Sequence, residues 1–220
     1  MARGPLEVIP EALAHAIEGL EGWFVIGGQA VRCLSAYRGS RDVDLGVRRA
    51  QDLETLVAEL GRRGRVEVQE RGKDTIHLRF EGIKVSIFVL EKLAGFVEHR
   101  RLNVTGILAT KLHAVLDRGT RRDFFDLYVT LQVQRLGIAE CLAAMREIYG
   151  AHVNEALLLR SLTYFDDAER EAPLAGEGPR DWDDVKEYLL TRVGQLLVPP
   201  ARALEIQRRE VDVRDPRPAA

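Results

Sequence analysis

Apolar residues recur at Leu6, Ile9, Leu13, Ile17 and Leu20, and this three-and-four spacing predicts an amphipathic helix over residues 6–20. Residues 23–26 (WFVI) then read as a buried strand, which Gly27 and Gly28 break. A helix over 29–37 follows, carrying Ala30, Val31, Leu34 and Ala36, and a second strand is expected at once over 43–47. Residues 50–61 put Leu53, Leu56, Val57 and Leu60 on one helical face. β-prone runs at 66–68, 75–80 and 83–90 come next, the last two joined by Glu81-Gly82 as a tight hairpin. From Glu91 onward the strand signal stops. Helical patterns are expected over 94–97, 104–116, 122–134, 138–149, 154–165 and 182–197. The fold class that follows is α+β. An α/β core spans residues 1–91 and a helical domain spans 92–198. Pro199-Pro200 ends the last helix, and the charged segment 199–220 reads as an extended tail.

Composition narrows the function classes. The chain has 220 residues, 46% of them hydrophobic, enough for a sizeable core. No apolar stretch reaches the roughly 18 residues that span a bilayer, and no basic-then-apolar leader opens the chain. The expectation is a protein with no membrane association and a cytoplasmic location. Cys33 and Cys141 are far apart and read as buried thiols, while His15, His77, His99, His113 and His152 show no metal-ligand spacing. A net charge of -2 argues against wholesale electrostatic binding to nucleic acid, although arginines cluster at 48–49, 62–65, 100–101 and 118–122. They read either as a solvated surface or as a local RNA-facing patch.

Candidate chemistry concentrates in residues 24–47. A glycine pair between a strand and a helix lets the backbone approach an anion, and the helix start offers unpaired N–H groups and the positive end of its dipole. Gly27, Gly28 and Gln29 therefore read as a phosphate seat. A ligand-free tight turn is the competing reading. Asp42 and Asp44 alternate on the next strand, so both carboxylates are expected on one face, where they can converge on Mg²⁺ or Mn²⁺. Asp42 could instead pair with Arg41. Triphosphate on the turn and metal on the aspartates describe a nucleotide site, and the reaction expected of it is nucleotidyl transfer from an NTP. Lys111 falls on the apolar stripe set by Ile107, Leu108, Leu112, Val115 and Leu116, where a cation needs an anion. A phosphate would serve, or the lysine stem could lie on the core with its ammonium in water. On the phosphate reading, Lys111→Ala should leave stability unchanged or slightly higher. Asp123 and Asp126 share a helical face. Asp123 fits a capping box with Thr120, and Asp126 could pair with Arg122.

Three stretches, IGGQAVRCLSAYRGSRDVDL, LATKLHAVLDRGTRRDFFDLYVTL and the more diffuse ALLLRSLTYFDDAEREAPL…DWDDVKEYLLTRV, carry a resemblance. The chain resembles the AbiEii-type nucleotidyltransferases of prokaryotic toxin-antitoxin systems, with the MenT toxins among them, inside the DNA polymerase β-like superfamily. The resemblance implies a nucleotidyltransferase-type mixed β-sheet flanked by helices, with the helical bundle completing the nucleotide site. It implies a catalytic role for Asp42, Asp44, Lys111 and Asp123, and a nucleotide contact for Asp126. It implies an RNA acceptor, a tRNA 3′ end above all, and a possible cognate antitoxin. A protein or small-molecule acceptor, or a lapsed nucleotide-binding module, are the alternatives. One departure stands out. The superfamily usually draws a third metal-binding carboxylate from a later strand, and the strand IKVSIFVL offers Ser86 there, on the face expected for Asp42 and Asp44. Asp123 is the first candidate to replace it.

Overall fold

The computed structural model describes residues 3–40, 42–150 and 152–197. Arg41 and the tail expected over 199–220 lie outside them. The helix expected over 6–20 is divided into α1 (Pro5–Val8) and α2 (Glu11–Ile17). Pro10 causes the break: it forces Ile9 into an extended conformation and itself becomes the N-cap of α2. Strand β1 (Trp23–Val25) leads into α3 (Gly27–Leu34), which takes in the glycine pair and ends earlier than expected, at an extended Ser35. Strand β2 (Val43–Val47) and helix α4 (Ala50–Arg63) follow the pattern closely. Strands β3 (Val66–Arg71), β4 (Thr75–Phe80) and β5 (Ile83–Val89) complete the first half. Glu81 and Gly82, at φ 47 and 82, form the tight turn between the last two.

The expectation of no strand beyond Glu91 is corrected by the structure. Residues expected as a helix over 94–97 belong to a 3₁₀ turn, Glu91–Phe96, and are followed by β6 (Val97–Glu98) and β7 (Arg101–Leu102). His99 and Arg100, both at positive φ, join this second tight hairpin. Two-residue strands are too short for alternation to show. They nevertheless extend the sheet, whose order among the described residues is β3-β4-β5-β2-β1-β7-β6. The β2–β5 and β1–β7 pairs are parallel and the rest antiparallel, giving a mixed sheet. The helical half contains α5 (Val104–Asp117), α6 (Arg121–Gln134), α7 (Ile138–Tyr149), α8 (Glu155–Ser161), α9 (Asp166–Glu169) and α10 (Asp181–Leu197). The single helix expected over 154–165 thus ends at Ser161, and α9 begins after a turn.

Alternation along the strands separates two cores. Trp23, Val25, Val43, Leu45, Val47, Ile76, Leu78, Val85 and Ile87 point to one face, where they pack against apolar residues of α1, α2 and α4. Phe24 and Leu102 point to the other face, into a core built largely by α5, α6, α7 and α10. Residues of β2, β5 and β4 that point the same way as Phe24 include Asp44, Ser86 and His77, and these line a cavity. The helical bundle covers the β1–β7 end of that face, and the β2–β5–β4 end stays open.

Candidate active site

The open part of the sheet is the wall of a cavity of about 490 Å³. Gly27 and Gly28 form one edge, Asp42 and Asp44 lie beside them, and Lys111 of α5 closes the far side. Gly27 is fixed by two constraints. Its φ is +56, and a Cβ there would sit 2.9 Å from an Asp44 carboxylate oxygen. At Gly28 a Cβ would come within 2.7 Å of the Arg38 guanidinium. Among the described residues no side chain caps α3, so its first N–H groups have no capping acceptor there. The Ile26 N–H donates to the Asp44 carbonyl at 3.1 Å, tying the turn to β2.

Asp42 sits one residue ahead of β2, yet its side chain lines the cavity with that of Asp44. Its carbonyl is held by the Gln29 side-chain amide at 3.1 Å and the Ser40 hydroxyl at 2.9 Å. Gln29 is buried and also accepts from Arg32 at 3.0 Å, so its side chain braces the Asp42 loop and does not face the cavity. Burial raises the Asp44 carboxyl above the ordinary carboxylate range; Lys111 pulls against that rise and Asp42 adds to it.

Lys111 is 4% exposed, and its ammonium donates to Asp126 at 2.6 Å and lies 3.7 Å from Asp123. The anion that meets it is therefore a protein carboxylate, where a phosphate, or an ammonium reaching water, was expected. Asp126 does not pair with Arg122. Its carboxylate accepts from Arg38 at 2.8 Å on both oxygens, from Lys111 and from the Tyr37 hydroxyl. Burial works to raise Asp126, but Lys111 and Arg38 outweigh it and hold the group below the usual range. Burial together with the adjacent Asp126 pushes the Tyr37 phenol upward.

Asp123 is likewise withdrawn from the cavity. Thr120 caps α6 as expected, and the Asp123 carboxylate takes both Arg118 donors at 2.7 and 2.9 Å. Burial is overcome by the Arg118 hydrogen bonds and by Lys111 and Thr120, and the group is pulled down to about 2. With both oxygens committed behind Arg118 and no place on the cavity wall, Asp123 cannot supply a third metal-binding carboxylate.

Several residues bordering the cavity were missed by sequence reasoning. Arg38, Arg79, Lys84, Arg118 and Arg122 give it a cationic rim, and His77 stands beside Ser86. The His77 signal was available: a two-residue hairpin at Glu81-Gly82 fixes Phe80 opposite Ile83, and counting back places His77 opposite Ser86, as observed. Arg38 had no local signal, since its partner Asp126 is 88 residues away.

Lys111, Arg38 and Arg118 pair with Asp126 and Asp123, which leaves Asp42 and Asp44 without an ion-pair partner among the described residues. Two adjacent carboxylates, one of them destabilised by burial, fit a divalent cation. Among the described residues no three acidic, histidine or cysteine side chains gather into a metal-binding group, because the neighbouring strand presents Ser86.

A mixed sheet that sets a glycine turn against an Asp-x-Asp strand, with a helical bundle over its far end, defines the class: a nucleotidyltransferase. The family model described as "Nucleotidyl transferase AbiEii toxin, Type IV TA system" matches residues 84–195, just over half of the chain, and the chain belongs to that family. The match takes in Ser86, Lys111, Asp123 and Asp126 and begins after the glycine turn. An uncharacterized protein of Aquifex aeolicus is 24% identical over 186 residues, covering 80% of this chain and 88% of that protein. Two solved structures of the antibiotic-resistance factor ANT(2'')-Ia are similar at 16% identity. The solution structure has a TM-score of 0.44, covering 64% of this chain and 88% of its own. The crystal structure with adenylyl-2"-tobramycin has a TM-score of 0.47, covering 66% and 96%. No helix among the described residues is long and apolar enough to cross a membrane.

Proposed function

We propose that this nucleotidyltransferase binds an NTP with Mg²⁺ on Asp42 and Asp44 and moves the NMP to an RNA 3′ end. The observation that carries the reading is one pair of carboxylates, without an ion-pair partner among the described residues, in a cavity whose other charged lining residues are Arg38, Arg79, Lys84, Lys111, Arg118 and Arg122. Such a balance suits a polyanion bridged by cations, and its cationic part reaches Arg79 of β4 and Lys84 of β5.

In this reading the open N–H groups of α3 take terminal phosphate oxygens, and Gly27 and Gly28 let the backbone come close. Lys111, Arg38 and Arg118 are preorganised by buried carboxylates, so their positive ends are already placed before the nucleotide arrives. Asp126 and Asp123 are positioning residues and do not touch the nucleotide. A divalent ion on Asp42 and Asp44 supplies charge neutralisation for the α-phosphate and the leaving pyrophosphate. Toxin activity restrained by a cognate antitoxin fits the family description, with the RNA acceptor as the target.

Incubating the protein with each α-labelled NTP, Mg²⁺ and total RNA tests the reading. Lengthened, labelled RNA that depends on Mg²⁺ is expected. Label found instead on protein or on a small molecule would replace the acceptor, and NTP binding without pyrophosphate release on any acceptor would replace the reaction.

A further inference from the structure

We infer that Ser86 and His77 form a proton relay that deprotonates the attacking hydroxyl of the acceptor. The inference rests on the reading of the Asp42–Asp44 cavity as the nucleotide site. Asp44, Ser86 and His77 occupy one row across three neighbouring strands, β2, β5 and β4, with Ser86 the register partner of both others. All three line the cavity, while the side chains of Val85, Ile87, Ile76 and Leu78 turn the other way into the core. Ser86 therefore stands between the proposed cation site and the imidazole.

The Ser86 hydroxyl lies 2.8 Å from His77 Nδ1. The His77 ring meets Phe88 edge-on, 5.9 Å between centroids at 82°, which fixes its orientation toward Ser86. Nucleophilic oxygen needs a proton acceptor as its bond to phosphorus forms, and an imidazole is the side chain suited to that near neutral pH. Other groups on this wall cannot serve. Arg79 and Lys84 are cations, Asp42 and Asp44 are committed to the metal, and Asp123 and Asp126 are held behind Arg118 and Lys111.

An acceptor hydroxyl oxygen attacks the α-phosphorus, and the new O–P bond forms as the bond from that phosphorus to the α,β-bridging oxygen breaks. Pyrophosphate leaves with that electron pair. The hydroxyl proton passes to Ser86 Oγ while the proton of Ser86 passes to Nδ1 of a His77 protonated at Nε2, and the imidazolium afterwards releases a proton to solvent. Ser86 touches the substrate and His77 acts through it.

Ser86→Ala, His77→Ala and the double variant, each checked for an unchanged melting curve, are assayed with α-labelled NTPs, Mg²⁺ and total RNA. Each single change should lower kcat by about 10²-fold while leaving NTP affinity, measured by calorimetry, at the wild-type value. The double variant should be no slower than the slower single, because the two act as one unit. Free imidazole should restore transfer by His77→Ala. Wild-type kcat in either single variant, multiplying losses in the double, or no response to imidazole would overturn the relay. A loss of NTP affinity would overturn it in favour of a binding role. Asp44→Asn assayed alongside separates the two readings, since it should lose Mg²⁺-dependent NTP binding and the relay variants should not.

Discussion

At the residue scale, the carboxylates around the cavity divide into two that face it with no ion-pair partner among the described residues and two that are hidden behind cations. Asp42→Asn or Asp44→Asn should reduce Mg²⁺-dependent transfer about 10²-fold or more while preserving the fold. Asp44 carries a further signature. Its carboxyl is raised by burial, so its ionised form opposes folding at neutral pH, and the penalty disappears as pH falls below the ordinary carboxylate range. Asp44→Asn without Mg²⁺ should therefore melt higher than wild type at pH 7; a lower melting temperature would contradict the placement. Asp123 has the opposite sign. A carboxylate pulled down to about 2 stabilises the fold above its unfolded value of about 3.9, and that contribution is lost as pH falls through the folded value. Stability of the wild type should drop between about pH 4 and pH 2, and Asp123→Asn should flatten that part of the curve, as read by denaturant titrations across the range. Lys111 reverses the expectation drawn from its helical stripe. Removing it leaves Asp126 buried with one fewer cation, so Lys111→Ala should cost about 3 kcal/mol, at the low end for breaking a buried pair because Arg38 and Tyr37 remain.

At the element scale, the turn from β1 to α3 sets the geometry of the site. Gly27→Ala places a side chain at φ +56 and against Asp44, so it should cost about 1–2 kcal/mol and displace the carboxylate. A kcat loss larger than the stability loss explains, with the melting curve still cooperative, is the expected result. Strands and helices with clear periodicity were legible: residues 43–47 and 75–80 are strands with the bounds that alternation sets, and α7 and the C-terminal end of α10 match the three-and-four spacing. Misread elements have identifiable physical causes. Pro10 broke a continuous apolar stripe, and β6 and β7 are too short to carry a period, so backbone chemistry and edge pairing decided them.

At the scale of the whole molecule, one end of a sheet face is buried by the helical bundle and the other is open and cationic. If RNA docks along Arg79 and Lys84, transfer at subsaturating RNA should fall with added salt, and Arg79→Ala or Lys84→Ala should reduce the logarithmic slope by about 0.7, one single-strand phosphate contact. An unchanged slope would move the acceptor to another surface. The sequence by itself determined the α+β class, the glycine turn, the Asp-x-Asp pair and the hairpin register that sets His77 opposite Ser86, because these depend on neighbours within a few residues or one hairpin; the parallel pairing of β2 with β5 that brings Ser86 beside Asp44 was decided by the tertiary structure. Only the tertiary structure decided what the buried charges do. The packing of α6 against α3 and α5 brings Asp126 to Arg38, Tyr37 and Lys111, and it turns Asp123 toward Arg118 and away from the metal pair. Local periodicity marks such residues as buried, but the identity of a buried charge's partner is fixed by contacts between elements that lie far apart in the chain.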